Sequence, residues 1–407
     1  MYLTALDLGT SQIRLLVGEF AKDGQLNLKA VFKSPSAGLR KGEIVDINDT
    51  VSVLKQIFSN LRHFHKSVLD NIFLNVSGVN AKMSYSRGIV AVSRADYEIR
   101  EDDISRVIEA SRAINLAPNR QILHTITKEF IIDGVSNVKE PLSMTGNRLE
   151  VNSLIIDVFS PVIKNLSKVV ELAGGNIGGL IYNPIASSRS ALTKSQKELG
   201  VCLIDIGFST TSLAVWEEDN ILGLKVFPIG SSHITNDLAI GLKSSIEIAE
   251  IIKLSFGYAL AKGVPAREMI NLNDINEKFK GVVSKRFIAE IIESRLSEIF
   301  ELVNDELKLI SRAGQLPAGV VLVGNGAKLP GIVDLAKQEL KLPAQIGIPQ
   351  LSEIEMSNSE FSSQLEDPEF AEVAGLLLCA KDQYQNGFSN RSGSRSLISK
   401  IFKPFMP

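Results

Sequence analysis

Ala5-Leu6-Asp7-Leu8-Gly9-Thr10-Ser11 and Leu203-Ile204-Asp205-Ile206-Gly207-Phe208-Ser209-Thr210-Thr211 are the two stretches whose reading decides the fold. Each is a β-prone run that ends on Asp-x-Gly, turns through hydroxyl residues and continues into a second apolar run, Gln12 to Phe20 in one case and Thr210 to Glu217 in the other. Recurrence of a strand, Asp-x-Gly, polar turn, strand unit after about 198 residues signals an internal duplication. The residue types suit one chemistry. Gly9 and Gly207 let the backbone turn close beside a ligand. The hydroxyls of Thr10, Ser11, Ser209, Thr210 and Thr211, with the turn amides, can donate to phosphate oxygens. Asp7 and Asp205 can hold a cation through water. Two such loops face to face would clamp a polyphosphate around one cation. A third loop, Gly324-Asn325-Gly326-Ala327, follows the buried-looking strand Gly319 to Val323. Neither a dinucleotide fingerprint nor a P-loop occurs.

Working outward, the periodicity predicts a helix at about Asp49 to His63, with Val51, Leu54, Ile57, Phe58 and Leu61 on one face, and a strand from Asn71 to Ser77. The character changes near Ser84. Gly88 to Ser93 reads as a strand and Ile99 to Ala117 as a helix, with Glu101, Asp102 and Asp103 where the dipole favours them. Ile122 to Ile132 and Arg148 to Phe159 read as strands, so 84–159 is expected to be a small α/β insertion. Ser160-Pro161 predicts an N-cap and a proline at the first helical position. Ser284 to Ser311 predicts a long packed helix, a shorter one follows near Pro330 to Leu340, and a last core helix lies at about Pro368 to Cys379. The fold class is α/β, with duplicated mixed sheets in two lobes.

Composition excludes several classes. Among 407 residues, 44 Lys plus Arg face 46 Asp plus Glu, so no broad positive field argues for nucleic acid. Cys202 and Cys379 lack ligand spacing and sit in apolar runs, which fits a reduced setting. Arg62-His63-Phe64-His65-Lys66 has histidines two apart and no third ligand nearby, so a metal site is not expected there. The N-terminus has no signal-peptide pattern, and no apolar run approaches the roughly 18–20 residues that span a bilayer. Membrane contact is therefore expected from one side only. The end of the chain predicts such contact: after a polar 382–394, Leu397, Ile398, Ile401, Phe402 and Phe405 share one side of a helix, with Lys400 and Lys403 around it. That is a short cationic amphipathic helix of the interfacial kind, drawn to anionic lipid. Docking on the body of the protein or on a partner is the alternative.

The three loops, the insertion with His124 to Gly134, Leu199 to Gly207, Glu250-Ile251-Ile252-Lys253, Val321 to Gly326 and the tail resemble the actin, sugar-kinase and heat-shock ATPase superfamily, and within it the FtsA family of bacterial cell-division proteins, over nearly the whole chain. The resemblance implies ATP and Mg2+ as ligands. Asp7 and Asp205 match the metal-associated aspartates, and Thr10 and Thr210 the phosphate-contacting hydroxyls. Glu250 and Lys253 match a helical pair that contacts ribose and base, an exposed ion pair being the plain alternative. Gly324, Asn325 and Gly326 match the loop near the α-phosphate and adenine.

The resemblance also implies an arrangement: 1–83 as the first part of one lobe, 84–159 as an insertion for assembly and partner contacts, and 160–198 as the return and crossover. The second lobe follows at 199–381, with a small subdomain at about 230–310, then a flexible linker at 382–394 and a membrane-targeting helix at 395–407. The implied partners are the FtsZ C-terminal tail, other division proteins, further copies of the chain in a filament, and the membrane. The implied place is the cytoplasmic face of the inner membrane at the septum. Lys285 and Arg286 are candidates for meeting an acidic peptide, against the plainer reading of solvated charge.

Two departures bear on activity. Phe208 and Ser209 stand where the superfamily's second phosphate loop has two glycines, and Asn183, ahead of Pro184, stands where the heat-shock ATPases have a water-positioning glutamate. Asparagine is no general base, and no further catalytic carboxylate is identifiable from the sequence. Turnover is expected to be slow or absent, with nucleotide acting as a conformational ligand. The competing functions are a small-metabolite kinase of the same fold, a rod-type filament protein and a pilus-assembly adaptor.

Overall fold

The computed structural model describes residues 1–389 apart from 22–23, 63, 272, 274–280 and 357. Two mixed sheets form the cores of two lobes. The first has six strands in the order Ile177–Tyr182, Ile72–Val76, Tyr2–Leu8, Gln12–Phe20, Leu26–Pro35 and Glu355–Met356. The second has five, in the order Asn220–Phe227, Thr211–Glu217, Val201–Ile206, Val320–Val323 and Ala344–Ile346. The duplication is structural as well as sequential. In each lobe the Asp-bearing strand runs antiparallel to its hairpin partner, with Asp7 opposite Arg14 and Asp205 opposite Ser212, and parallel to a strand on its other side. Both Asp-bearing strands are continuous apolar runs apart from Thr4 and the aspartates, because each is central in its sheet and covered on both faces.

The segment between the strands Ile72–Val76 and Ile177–Tyr182 builds a third, antiparallel sheet: Lys82–Ala91, Arg148–Phe159, Arg120–Ile132 and Val135–Val138. Helix Glu101–Arg112 lies on it over Ile104, Val107, Phe130, Leu149 and Val151. At Gly88 a Cβ would fall 2.1 Å from the Val107 carbonyl oxygen, so only glycine lets helix and strand approach this closely. The helix is shorter than the Ile99 to Ala117 expected. Ile114 is only partly buried and Pro118 disfavours helical backbone before it, so nothing carries the helix onward. Helix Ser160–Ala173 begins one residue earlier than its N-cap reading, with Phe159 as cap and Ser160 already helical.

Between the lobes lie two helices, Asn183–Ala191 and Ala371–Ser389. They touch backbone to backbone: a Cβ on Gly375 would sit 1.8 Å from the Ala186 carbonyl oxygen, and Ser190 Oγ donates to the Ala371 carbonyl. The second helix corrects the expectation of a flexible linker from 382. It runs on to Ser389, held by Asp382, which is buried and bonded to Arg189 Nε at 2.7 Å, and by Tyr384, whose hydroxyl donates to Asn71 Oδ1 at 2.7 Å. The second lobe is completed by helix Lys285–Leu309, which buries Ile288, Ile292, Leu296, Phe300 and Val303. Cys202 and Cys379 are free and buried. Among the described residues no helix is long and apolar enough to cross a membrane. The amphipathic segment 395–407 lies outside them.

Candidate functional site

The two Asp-x-Gly turns meet. Asp7 ends its strand 3% exposed, with Oδ1 receiving a hydrogen bond from Asn75 Nδ2 at 3.0 Å and Oδ2 one from Arg14 Nη1 at 3.2 Å. Asn75 is fixed in turn by the Leu8 amide, which donates to its Oδ1 at 2.8 Å. Asp205 ends the matching strand and accepts from Ser187 Oγ at 2.7 Å. Gly324 closes over it: with φ +84, a Cβ there would stand 2.3 Å from Asp205 Oδ1. Gly9 is equally tight, 2.5 Å from the Gln12 carbonyl oxygen, so both turns are cradles that a side chain would fill.

A cavity of about 60 Å³ lies between the loops, lined by Asp7, Gly9, Thr10 and Ser11 from one lobe, by Asp205, Gly207, Ser209 and Thr210 from the other, and by Gly324 and Asn325. Phe208 also lines it. Ser209 Oγ donates to Thr10 Oγ1 at 2.7 Å across the lobes, and the Gly42 amide donates to the same hydroxyl at 3.1 Å. Room for a few waters is not room for a triphosphate; a ligand of that size would need the two loops to part.

Four residues named from the sequence for nucleotide contact lie outside this lining. The Thr211 hydroxyl is committed to the Ile229 carbonyl at 2.8 Å, and Gly326 packs under the loop, where a Cβ would meet Ile206 Cγ2 at 2.3 Å. Glu250 and Lys253 pair with each other at 2.7 Å, and buried Lys253 also donates to Thr235 Oγ1 at 2.8 Å. Lys285 and Arg286 are paired as surface charges, with Glu268 at 2.8 Å and Glu290 at 3.6 Å.

The cavity also contains groups that sequence reasoning missed. Glu369 and Glu372, at the start of the helix read only as core, both line it, two carboxylates in the cleft that the sequence did not single out. Glu369 takes Arg14 Nη2 at 3.0 Å and Lys33 Nζ at 2.6 Å. Glu372 Oε1 accepts from Asn75 Nδ2 at 2.7 Å. The available signal was a pair of acids three residues apart in the first turns of an otherwise apolar helix.

Burial governs the charges. It pushes Asp7 up to about 6 against the pull of Arg14, with the Asp205 charge adding to the rise. It raises Asp205 too, opposed by Ser187 and Arg14. It lifts Glu372 well above the carboxylate range, reinforced by Asp7 and Asp205. Glu369 is the contrast: burial works against ionisation there, but the bonds from Lys33 and Arg14 hold it low. A cluster that resists ionisation by itself is one that a cation would discharge. Among the described residues no three His, Cys, Asp or Glu side chains are grouped as a ready metal centre. Two buried carboxylates, Asp7 and Asp205, are the groups here whose chemistry fits a hydrated divalent cation.

The sign of the pH effect follows. Folded Asp7 keeps its proton to about 6 against an ordinary 3.8, so its stabilising contribution is present below the ordinary value and lost as pH rises through about 6. A cation pairs only with the ionised form. Mg2+ added to the protein with nucleotide is expected to raise the melting temperature by about 3 °C or more near pH 7.5 and by much less near pH 5. Equal shifts at the two pH values would count against cation pairing at Asp7.

Duplicated sheets, two helices packed between them and two Asp-x-Gly loops closing on one cleft define the actin-like class of two-lobed α/β proteins. Solved structures of this fold match over almost the whole chain: the PilM-PilN type IV pilus biogenesis complex, with TM-score 0.64 and 18% identity over 92% of this chain and 97% of that one, and MreB5 of Spiroplasma citri bound to ADP, with TM-score 0.57 and 15% identity over 97% and 99%. The family model for cell division protein FtsA matches residues 202–375, and that for the SHS2 domain inserted in FtsA matches 78–157. The cell division protein FtsA of Pseudomonas aeruginosa is 33% identical over 95% of this chain and 91% of its own length, and that of Bacillus subtilis 35% identical over 85% and 78%. The chain belongs to the FtsA family of cell-division proteins.

Proposed function

We propose that this protein is a membrane-tethered, ATP-binding scaffold that anchors FtsZ filaments at the division site and assembles with further copies of itself in a nucleotide-dependent way. One observation carries the nucleotide part: the buried aspartates of two Asp-x-Gly turns, one per lobe, face a single cavity whose walls are hydroxyls and glycine turns. Asp7 and Asp205 would hold Mg2+ through its waters, and Thr10, Ser11, Ser209 and Thr210 would take the phosphates. Asn325 would stand beside the nucleoside end. Glu250 and Lys253 would reach ribose or base only by exchanging their present bonds as the lobes open. Because Ser209 and Thr10 bond each other across the cleft, nucleotide must separate what is now joined, and lobe posture is the natural output.

Family membership supports the partners. The small subdomain at about 230–310 leaves Ile240, Ile246, Leu254 and Phe287 exposed, the last next in sequence to Lys285 and Arg286, apolar and basic groups of the kind that would suit the FtsZ C-terminal tail. A second cavity of about 770 Å³, lined by Tyr85, Ile126, Leu154, Arg189 and Trp216, lies where the insertion meets both lobes and suits contact with other division proteins. The tail from 395 to 407 supplies the tether, and the cytoplasmic face of the inner membrane at the septum is the place these properties imply.

The experiment is co-sedimentation with anionic vesicles of the full chain and of a form ending before Arg395, each with ATP or ADP and with an FtsZ C-terminal peptide. The shortened form should lose at least about tenfold in vesicle binding, since its basic and apolar anchor is gone, and should keep peptide capture. Equal sedimentation of both forms would sink the tether, and indifference of assembly to the nucleotide would sink the switch.

A further inference from the structure

We propose that Glu372 is the group that orients and deprotonates the water attacking ATP in this cleft, with Asn183 Oδ1 as the second acceptor of that water. The inference rests on the reading that the cleft holds Mg2+ and ATP, and it deepens that reading by naming a base.

Three observations lead to it. Asn183 occupies the turn from strand Ile177–Tyr182 into helix Asn183–Ala191, where hydrolysis would call for a base, and its amide is spent differently. Nδ2 donates to Ser77 Oγ at 2.9 Å, while Oδ1 is buried with no hydrogen-bond partner among the described residues. An orphaned buried acceptor is costly unless a donor fills it, and water is the donor that a polar cavity of about 60 Å³ admits. Next, Glu372 lines the same cavity and is bonded through one oxygen only. Asn75 Nδ2 holds Oε1, and Oε2 has no hydrogen bond among the described residues. Last, Asn75 Nδ2 bonds Asp7 and Glu372 together, so the carboxyl is fixed relative to the aspartate that would hold the cation.

A water has two hydrogens to give. One goes to Asn183 Oδ1, which can accept but never keep a proton, and the other to Glu372 Oε2, which can do both. In the step, the water oxygen bonds the γ-phosphorus while its O–H bond to the hydrogen facing Glu372 breaks. The bond from that phosphorus to the β,γ-bridging oxygen breaks, ADP leaves with the electron pair, and the proton rests on Glu372 before passing to the phosphate product. Burial beside Asp7 and Asp205 disfavours the ionised carboxyl that this step needs, and a cation held at those aspartates would restore it. The division of labour agrees with the slow turnover expected from the sequence: the residue at the usual place only orients, and the base arrives from a different helix.

The test is Glu372→Gln in the full chain, chosen because glutamine still offers Asn75 an acceptor and keeps the local bonds. ATP affinity with Mg2+ and single-turnover phosphate release are measured on the parent and the variant. Glu372→Gln is expected to bind ATP within about threefold of the parent and to release phosphate about 100-fold more slowly. Asn183→Ala, which removes the second acceptor together with the bond to Ser77 Oγ, should lose less. Release by Glu372→Gln within about threefold of the parent overturns the proposal, as does a parent that binds ATP and releases no phosphate, or an Asn183→Ala loss exceeding that of Glu372→Gln. A parent that binds no ATP overturns the reading of the cleft itself, and the binding arm reports that separately from the rates.

Discussion

Gly375→Val is expected to destabilise the protein by about 3 kcal/mol or more and to remove nucleotide binding in the same stroke. The substituted Cβ would meet Ala186 O at 1.8 Å and Ala186 C at 2.4 Å. Both are backbone atoms of a helix buried between the lobes, so no rotamer change relieves the clash and the two helices must separate. Valine adds a branched side chain to a helical site that glycine fills only at a propensity cost, so the loss comes from the contact and not from the backbone. The same helices carry Asn183, Ser187 and Glu372 to the cleft, with Glu369 in the turn just before the second, and their separation displaces the groups around Asp7 and Asp205. Thermal unfolding and an ATP-binding titration on one sample read both effects. An unchanged midpoint would show that the helices do not touch as described.

Asp205→Asn should show the opposite signature. Burial disfavours its ionised form, so the fold bears a cost for this carboxylate. Asparagine has the same shape and its Oδ1 can still accept from Ser187 Oγ, so the unliganded protein is expected to melt at the same temperature or higher. The cation loses one of its two charged anchors, and ATP affinity in Mg2+ should fall by about 100-fold while affinity in a chelator changes little. Such a trade of stability for function is the mark of a site residue. A variant that lost stability and bound MgATP normally would place Asp205 among structural groups instead.

The duplication was legible because its signals are local. A β-run, Asp-x-Gly and a hydroxyl turn fit within a few residues, and the structure places both copies at matching strand ends. The charge network around them was not legible, because chain separation hides it: Arg14 meets Glu369, and Asn75 meets Glu372, only when the C-terminal helix docks against the first sheet. The hydroxyl run of the second loop looked uniform, yet backbone register turned Thr211 to the Ile229 carbonyl and left Ser209 to reach Thr10. Polarity misled at the end of the last helix as well. Asp382 and Tyr384 have the composition of a linker, and only the presence of Arg189 and Asn71 makes them part of the body.

Helix Ala371–Ser389 has a mechanical consequence. At 19 residues it is a rod of about 28 Å, with Glu372 in its first turn, Gly375 locked against the neighbouring helix and Asp382 clamped by Arg189. A load applied at Ser389 would act on an element whose opposite end forms a wall of the cleft. Tension at one end and occupancy at the other act on the same rigid body, and by reciprocity a ligand that shifts the rod changes the load it bears, while a load that shifts the rod changes the affinity for the ligand.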